Sequence, residues 1–288
     1  MRAGRFDAYA VTTRSGPHVT LQAGVVHVGR HWTTATRRSV KAASIRRLGR
    51  ATVTVGEGSR WRVGGGTAQV LDGAHPFSLA AAPVSTALAG GAVLRVGFRE
   101  LSQLVGYAEV GSAVPLSFLP TGRVLLVTRI RDELVLDGNR VVRTRGHWTR
   151  DHATIEPGRR RPRRWEPAQA LADVPNQIAD LALQPGPAWL GVTTGAGAVA
   201  LPALWDPVAG QAQVSREALA AVGAELPGAV CVTLDDSVSR RPDEKLGVML
   251  RGSGSVVDLD GTAAMVAVEV ARVTYWTGFA STTEGAAA

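Results

Sequence analysis

The stretch that decides the fold is HWTTATRRSVKAASIRR, residues 31–47. Its first part, Trp32–Thr36, is rich in aromatic and β-branched residues and predicts a strand. Ser39 is a good N-cap, and Val40–Arg47 combines helix formers with apolar residues on one side, which predicts a helix. The sequence therefore predicts a strand that leads directly into the N-terminus of a helix.

Basic side chains surround this junction, where the first N–H groups and the positive end of the helix dipole favour an anion. They are Arg37, Arg38 and Lys41. The chain has 30 Arg and only two Lys, so a Lys two residues after the N-cap indicates that a compact point charge is wanted there. The spacing fits a phosphate site, and it also fits a solvated basic helix start.

Length and composition indicate a globular protein of one large or two ordinary domains. The chain has 288 residues, 45% of them hydrophobic, and 33 Gly. Residues 1–7 lead into no apolar signal core, and polar residues interrupt the apolar stretch within 77–98, so we expect neither a secretion signal nor a membrane span. The single Cys231 lies in an apolar strand pattern and is predicted to be a buried, inert thiol in a cytoplasmic protein.

The net charge of +8 is concentrated in one segment. Residues 143–166 hold eight Arg and three acidic residues, a net charge of +5. No aromatic residues alternate with these arginines, so the pattern favours a basic linker over a nucleic-acid interface. A helix is expected from Pro167 to Leu183, bent or interrupted at Pro175.

The remaining chain is predicted to be mainly strands, with one helical segment. Strands are expected at 8–13, 18–28, 51–55, 61–71 and 122–136, and the glycines 64–66 predict a bulge or a close approach of another backbone. The helical segment, about 75–108, reads as two helices, Pro76–Ala89 and Ala92–Tyr107, separated by Gly90 and Gly91. Asp235–Asp236 and Lys245 are predicted to be turn residues.

The second part of the chain repeats the first. GVTTGAGAV (191–199) matches AVTTRSGPHV (10–19), and QVSREAL (213–219) occupies the place of the strand-to-helix junction. The order of strands without βαβ alternation predicts small closed barrels. We therefore expect a first domain at 1–142 with an insertion at about 75–108, a linker at 143–187 with a short helix, and a second domain at 188–288.

Three segments carry a resemblance to a known family. HWTTATRRSVKAASIRRLGRATVTV (31–55) resembles the Thr/Ser-x-Lys strand–helix element of the pyridoxamine 5'-phosphate oxidase-like, FMN-binding split-barrel family, which includes deazaflavin-using relatives. RPDEKLGVMLRGSGSV (241–256) and VAVEVARVTYWTGF (266–279) are similar to later barrel strands of that family. The resemblance covers about 8–74, 122–140 and 188–280. It implies a mainly β fold of two tandem split barrels packed as a pseudo-dimer, with a helical insertion in the first copy, and such a pair needs no second chain.

The family resemblance also implies a cofactor site between the two barrels. By analogy, Ser39 and Lys41 contact the FMN phosphate, with Arg37 or Arg38 nearby. The residues expected to face the ribityl chain and flavin edge are Thr20, Gln22, Thr33 and Thr34. The second copy has Glu217 where the phosphate needs a cation, so at most one composite site is expected.

The function implied by this resemblance is that of a flavin-dependent oxidoreductase that transfers a hydride to an unknown small substrate. FMN is the expected cofactor, and a deazaflavin is the alternative. The competing hypothesis is a non-catalytic, degenerate split barrel that binds or stores flavin or has lost its cofactor. No metal site is expected, since His27 and His31 do not share a helical face and nothing completes a ligand set.

Overall fold

The structure, a computed structural model, describes residues 7–99, 101–149, 155–158, 165–236 and 241–285. The fold is mainly β and has two sheets, one built from the first half of the chain (residues 7–149) and one from the second half (residues 186–285). Arg150, Arg159–Arg161, Arg163 and Arg164 of the predicted basic linker lie outside the described residues.

Eight strands and four α-helices occur in the described residues of the first half. In chain order they are β1 (Asp7–Thr13), β2 (Gly16–Gln22), β3 (Gly24–His27), β4 (Arg30–Thr36), α1 (Val40–Leu48), β5 (Arg50–Glu57), β6 (Arg60–Leu71), α2 (Pro76–Ala80), α3 (Pro83–Arg99), α4 (Leu101–Val110), β7 (Arg123–Asp137) and β8 (Arg140–Arg145). Three short 3₁₀ turns join α4 to β7.

Two short helices, α5 (Pro167–Ala170) and α6 (Asn176–Ala182), connect the halves, and Pro175 lies between them. The second half contains β9 (Gly186–Thr194), β10 (Gly197–Asp206), β11 (Gln211–Ser215), α7 (Arg216–Val222), β12 (Gly228–Asp236), β13 (Leu246–Asp260), β14 (Ala263–Thr277) and β15 (Ala280–Gly285).

Both sheets follow one plan, which confirms the predicted duplication. The second sheet has the order β11-β10-β9-β12-β13-β14-β15, and an additional pairing of β11 with β14 closes six of these strands into a barrel. The first has the order β2-β1-β5-β6-β7-β4-β3. There the single long β10 is replaced by β2 and β3, so the strand predicted at 18–28 is broken at Ala23 and the barrel is split.

The glycines of the long strands mark the same feature in both halves. Gly66 lies at a register shift between β6 and β7, and Gly252 lies at one between β13 and β14. A Cβ at Gly66 would lie 2.0 Å from the carbonyl oxygen of Arg129, and one at Gly252 would lie 1.7 Å from that of Glu269. The bulge predicted from Gly64–Gly66 is therefore present, and only glycine fits it.

The predicted break at Gly90 and Gly91 was wrong, because α3 continues through both residues. Helix α3 begins at Pro83. The interruption between α2 and α3 lies before this residue, at Ala81 and Ala82. Ala92 and Val96 of α3 are buried against Trp32 of β4. This packing outweighs the cost of two exposed glycines, about 1 kcal/mol each relative to alanine. No helix in the described part of the chain is long and apolar enough to cross a membrane.

One apolar core is shared by the two halves. The largest cluster of buried side chains joins Trp61, Val63 and Leu134 of the first half to most of the second barrel. Trp61 meets Trp189 edge to face, with 5.2 Å between ring centroids. Cys231 is fully buried in this core, and burial raises the pKa of its thiol to about 11, as expected of an inert thiol.

Hydrogen bonds also cross between the halves inside this interface. The hydroxyls of Thr52 and Thr54 on β5 donate to the carbonyl oxygens of Ala198 and Ala200 on β10, at 2.9 and 2.6 Å. The amide of Ala198 donates to Oγ1 of Thr12 at 2.8 Å. The halves are thus held in one register relative to each other.

Replacing Thr54 by valine tests this register. Thr54→Val removes a buried hydroxyl at nearly constant side-chain volume, and we expect it to lower the free energy of unfolding by about 1–3 kcal/mol. Urea unfolding followed by tryptophan fluorescence measures the loss. The matched control is Thr282→Val on the exposed strand β15, which should stay within about 0.5 kcal/mol of the wild type. Equal stability of Thr54→Val and the wild type would contradict the structural role of this hydrogen bond.

Candidate functional site

A cleft lies between the two halves, at the point where β4 turns into α1. It consists of two adjoining pockets, of about 930 Å³ and about 270 Å³. The first half lines it with β2, β4, the N-terminus of α1 and the end of the helical insertion, and the second half with β12, β13 and the turn between β14 and β15. The volume of the larger pocket, taken by itself, is within the usual 300–1,000 Å³ range of small-molecule sites.

The two pockets share Ser39 and Lys41, which therefore lie between them. The aromatic pocket is the smaller one, and only it is lined by Gln22, Thr34, Tyr107 and Arg123. The arginine pocket is the larger one, and only it is lined by His18, Thr20, Arg38, Asp235, Arg251 and Trp276. The cleft thus has an aromatic end with Tyr107, a central strand-to-helix turn that Phe118 and Phe279 border from both pockets, and an arginine end.

The central turn is built as the sequence predicts. The Oγ of Ser39 accepts a hydrogen bond from the amide of Ala42 at 3.2 Å and caps α1. No acidic residue occupies the first turn of α1. The amides of Val40 and Lys41 have no partner within the helix, so the positive end of α1 faces the cleft.

Lys41 is half-buried at this helix end. Its Nζ donates to Oγ1 of Thr20 on β2 at 2.9 Å. Burial, and secondly the positive charge of Arg123, lower the pKa of Lys41 to about 7, while Asp235 opposes the shift. A bound anion would favour the protonated form, so this amine is placed to respond to a negatively charged ligand.

Both predicted arginines line the larger pocket, but Arg37 is already engaged by the protein. The Nε of Arg37 donates to both carboxylate oxygens of buried Asp72 at 3.0 Å, and its Nη2 donates to the carbonyl oxygen of Thr121 at 2.9 Å. Arg37 therefore fixes the turn to the segments that precede and follow the insertion. Arg38 is exposed and lines the arginine pocket.

Of the four polar residues predicted to face the ribityl chain and flavin edge, three line the cleft and one does not. Thr20, Gln22 and Thr34 line the cleft. Thr33 does not, because its fully buried hydroxyl donates to the carbonyl oxygen of Ala23 at 2.6 Å. Side chains alternate along a strand, so Thr33 and Thr34 face opposite sides of β4.

Several cleft residues were not predicted from the sequence. Arg123 at the start of β7 donates to Oγ1 of Thr34, and its register partner on β4 is Thr36. His18, Asp235 and Arg251 approach the turn from other strands. Lys245, predicted to be a solvated turn residue, is half-buried and lines both pockets.

Three buried nitrogen atoms around the cleft have no hydrogen-bond partner. They are Nδ1 of His18, Nε of Arg123 and Nε of Arg251. Leaving a buried polar atom unsatisfied costs about 1–3 kcal/mol, and more for a charged group. Their concentration around one cleft indicates that a polar ligand completes it.

Three rings form the wall of the aromatic end. Phe118 and Phe279 meet edge to face with 4.9 Å between centroids, and Tyr107 lies 6.1 Å from Phe279. Tyr107 belongs to α4 of the helical insertion, Phe118 to the 3₁₀ turns that follow α4, and Phe279 to the turn between β14 and β15. The insertion and the second half thus close one end of the cleft together.

The corresponding turn of the second half is filled by the protein itself. Ser215 caps α7 and donates to the carbonyl oxygen of Asn139 at 2.5 Å, and Glu217 accepts from the amide of Val141 at 2.7 Å. The turn between β7 and β8 therefore occupies the space that remains open beside α1. Glu217 replaces an anion at this helix end, so of the two related helix N-termini only that of α1 opens into a cleft within the described part of the chain.

No group of three His, Cys, Asp or Glu side chains that could hold a metal ion occurs within the residues the structure describes. His31, fully buried in the first barrel, lies 2.8 Å from the carboxylate of Asp7, with its Nε2 facing Oδ2. His27 is half-buried, and its carbonyl oxygen accepts from the Trp32 indole.

Comparison with known proteins finds similarity to solved structures only, since no family model and no curated protein matches the chain. General stress protein 26 from Bacillus anthracis is 12% identical, with 48% of this chain and 88% of that chain covered and a TM-score of 0.31. An FMN-binding protein related to pyridoxamine 5'-phosphate oxidase, from Nostoc punctiforme, is 14% identical, with 46% and 74% covered and a TM-score of 0.32. A pyridoxinephosphate oxidase-family protein from Clostridium acetobutylicum is 9% identical, with 48% and 84% covered and a TM-score of 0.32. Each match covers about half of this chain.

The lowered pKa of Lys41 predicts that anion binding weakens as the pH rises above about 7. Below this pH the amine is already charged, and above it binding requires uptake of a proton. Sulfate is a suitable probe because it keeps its double charge between pH 6 and pH 9. Calorimetric titration in buffers of different ionisation enthalpy should show proton uptake above about pH 7 and little below it.

Lys41→Arg is the matched variant, since a guanidinium stays protonated over this range. Its sulfate affinity should vary little with pH, and His18 should not interfere, because its pKa of about 3 keeps it neutral. In the ligand-free wild type, the unfolded chain binds more protons than the folded one between about pH 7 and the ordinary lysine pKa of 10.5, so stability should rise with pH there. Identical pH profiles for wild type and Lys41→Arg would contradict this assignment.

Proposed function

We propose that the chain binds a flavin cofactor, FMN or a deazaflavin, in the cleft and acts as an oxidoreductase that transfers a hydride between this cofactor and a small substrate. The observation that supports the proposal best is the position of Lys41. A half-buried amine and the N-terminus of α1, whose first two amides have no partner within the helix, meet at the centre of a cofactor-sized cleft that has an excess of cations.

The residues of the cleft fit such a cofactor. Ser39, Lys41 and the N-terminal amides of α1 would hold the phosphate, with Arg38 at its outer side. Gln22 and Thr34, in the aromatic pocket, would supply amide and hydroxyl groups for the ribityl chain, and Thr20, in the arginine pocket, holds the Lys41 amine. The rings of Tyr107, Phe118 and Phe279 supply an apolar wall for the isoalloxazine ring.

The bound flavin would supply the redox chemistry, and the protein would supply binding, position and electrostatics. Lys41 and Arg123 place positive charge beside the site, which favours ligands that become more negative on reduction. The insertion and the turn between β14 and β15 shield the aromatic end from water. Since the turn beside α7 is filled by Asn139 and Val141, we expect one cofactor per chain.

A second candidate function is flavin binding without turnover. It is favoured by the composition of the aromatic pocket, which has no carboxylate and no histidine among the described residues that line it. One measurement on the flavin-loaded protein, the rate at which it reduces an added acceptor, distinguishes the candidates. An oxidoreductase should release its reducing equivalents to an added acceptor faster than free reduced flavin does, whereas a storage protein should slow the reaction.

Removal of the Lys41 amine tests the phosphate site. A charge-assisted hydrogen bond is worth roughly 1.5–3 kcal/mol, so Lys41→Ala should weaken FMN binding by about tenfold to a hundredfold. Fluorescence titration with FMN measures the affinity, and circular dichroism checks the fold. The visible absorption spectrum of the purified protein identifies a flavin or deazaflavin that has been retained.

The matched control is Glu217, which occupies the place of Lys41 in the second half. Glu217→Gln keeps an oxygen that can accept from Val141 and should leave FMN affinity within about threefold of the wild type. Glu217→Ala loses this acceptor, so it should lower stability while FMN still binds. Full affinity of a folded Lys41→Ala protein would show that the phosphate site is elsewhere.

A further inference from the structure

The helical insertion presents an apolar surface that the rest of the chain leaves exposed. The outward face of α3 consists of exposed residues that recur at helical spacing, namely Pro83, Ala87, Gly90, Gly91, Leu94 and Phe98. Leu94 is 66% exposed and Phe98 is 76% exposed. The other side of α3 packs on Trp32 through Ala92 and Val96. A helix that is apolar on nearly all sides is normally covered on all sides, so the outward face indicates a partner.

The segment that carries this face is almost free of charged residues. Between Gly73 and Phe98 the only Asp, Glu, Lys or Arg is Arg95, although such residues make up 19% of the chain. An exposed surface is normally kept soluble by mixed charges, whereas the core of a protein interface is depleted of them. The composition of the insertion is therefore that of an interface.

Gly90 has no structural reason within the described part of the chain. It lies in the middle of α3, where glycine is less favourable than alanine. A Cβ at this position would meet no atom within 4 Å, so no close contact inside the chain requires glycine. A glycine on the outward face of a helix lets the backbone of a second helix approach closely.

The outward face is complementary to a copy of itself in the antiparallel orientation. When two α3 helices cross at Gly90 and Gly91 about a two-fold axis, residues at equal distances from the crossing point face each other. Leu94 then lies opposite Ala87, and Phe98 lies opposite Pro83. Each large side chain of one copy thus meets a small one of the other, and every contact occurs twice.

The area of this surface is sufficient for a specific dimer. Helix α3 has 17 residues. The outward half of a helix of this length, about 10 Å in diameter, presents roughly 500 Å² of accessible surface. Phe77 of the adjoining α2 is 88% exposed and adds roughly 150 Å². Two copies would bury roughly 1,300 Å² together, within the range of about 1,200–2,000 Å² for specific interfaces.

We propose that two copies of this chain associate through the outward faces of α3, packed antiparallel about a two-fold axis at Gly90 and Gly91. This inference does not depend on the proposed function. A lipid surface also binds apolar helix faces, but a helix that lies on a membrane has a second face rich in Lys and Arg. The second face of α3 is packed on Trp32 instead, which favours a second copy.

Sedimentation equilibrium of the full chain between about 1 and 200 µM tests the dimer. The wild type should show a reversible monomer–dimer equilibrium in this range, and Leu94→Glu should weaken association at least tenfold, because it buries a charge without a partner. Val208→Glu is the matched control. Val208 is 92% exposed in the turn between β10 and β11, and this variant should keep the dissociation constant within about threefold of the wild type. Circular dichroism checks the fold of each variant.

Gly90→Ala separates the folding of α3 from its association. Alanine favours the helix, so this variant should unfold at a higher temperature than the wild type where both are monomeric. Its added methyl groups lie at the crossing point, so it should dimerise about fivefold more weakly. A glycine that served only the fold would not give these opposite effects.

An exchange of side chains tests the antiparallel orientation. Leu94→Ala and Ala87→Leu should each weaken association, the first by leaving a cavity and the second by placing two leucines opposite each other. The double variant has the composition of the wild type and restores a large residue opposite a small one. It should therefore regain a dissociation constant within about threefold of the wild type.

Four results would overturn the proposal. A wild type that stays monomeric throughout this concentration range has no such dimer. Dimerisation that Leu94→Glu leaves unchanged uses another surface, and a double variant as weak as the single variants contradicts the antiparallel packing. If the wild type binds anionic lipid vesicles through Leu94 and does not dimerise, the partner is a lipid surface.

Discussion

The structure depends on the packing of the two barrels against each other through a shared apolar core. Strand β5 of one half lies beside β10 of the other, and the hydroxyls of Thr52 and Thr54 on β5 donate to backbone carbonyl oxygens of β10. Thr12 accepts from Ala198 of the second half, and its carbonyl oxygen accepts from Ser44 of α1. The position of α1 relative to the second barrel is thus set by the interface. The cleft exists because this interface brings the turn after β14 close to the N-terminus of α1.

The duplication explains why only one of the two related helix N-termini that the structure describes opens into a cleft. A hairpin turn of the other half lies beside the N-terminus of each helix, α1 and α7. The first helical turn of α7 carries a carboxylate, and the first helical turn of α1 carries none. A carboxylate at a helix N-terminus satisfies the dipole and a nearby amide at once, and Glu217 does so with Val141. Lys41 at the corresponding place adds positive charge to an end that is already positive. One helix end is therefore complete in the folded protein, and the other requires an anion.

The sequence predicted features that depend on neighbouring residues and missed those that depend on distant strands. The cap at Ser39, the bulge at Gly64–Gly66 and the repeat follow from local spacing and were found correctly. Arg123, Arg251 and His18 could not be identified, because 30 arginines make a single one inconspicuous and only strand pairing brings them to the cleft. The continuation of α3 through two glycines was missed for a similar reason. Its stability comes from packing on Trp32, which is remote in sequence.

The distribution of charge couples ligand binding to the association of the halves. Lys41 and Arg123 belong to the first half and Arg251 to the second, and burial lowers the pKa of both Lys41 and Arg251, which means that the folded protein holds these cations at a cost. An anion between them removes this cost from both sides of the interface. A ligand that binds only the folded state stabilises it by about 2.7 kcal/mol at a hundred times its dissociation constant. Because the anion contacts cations of both halves, this free energy stabilises the association of the halves. A bound anion therefore acts as an additional link across the interface on which the rest of the structure depends.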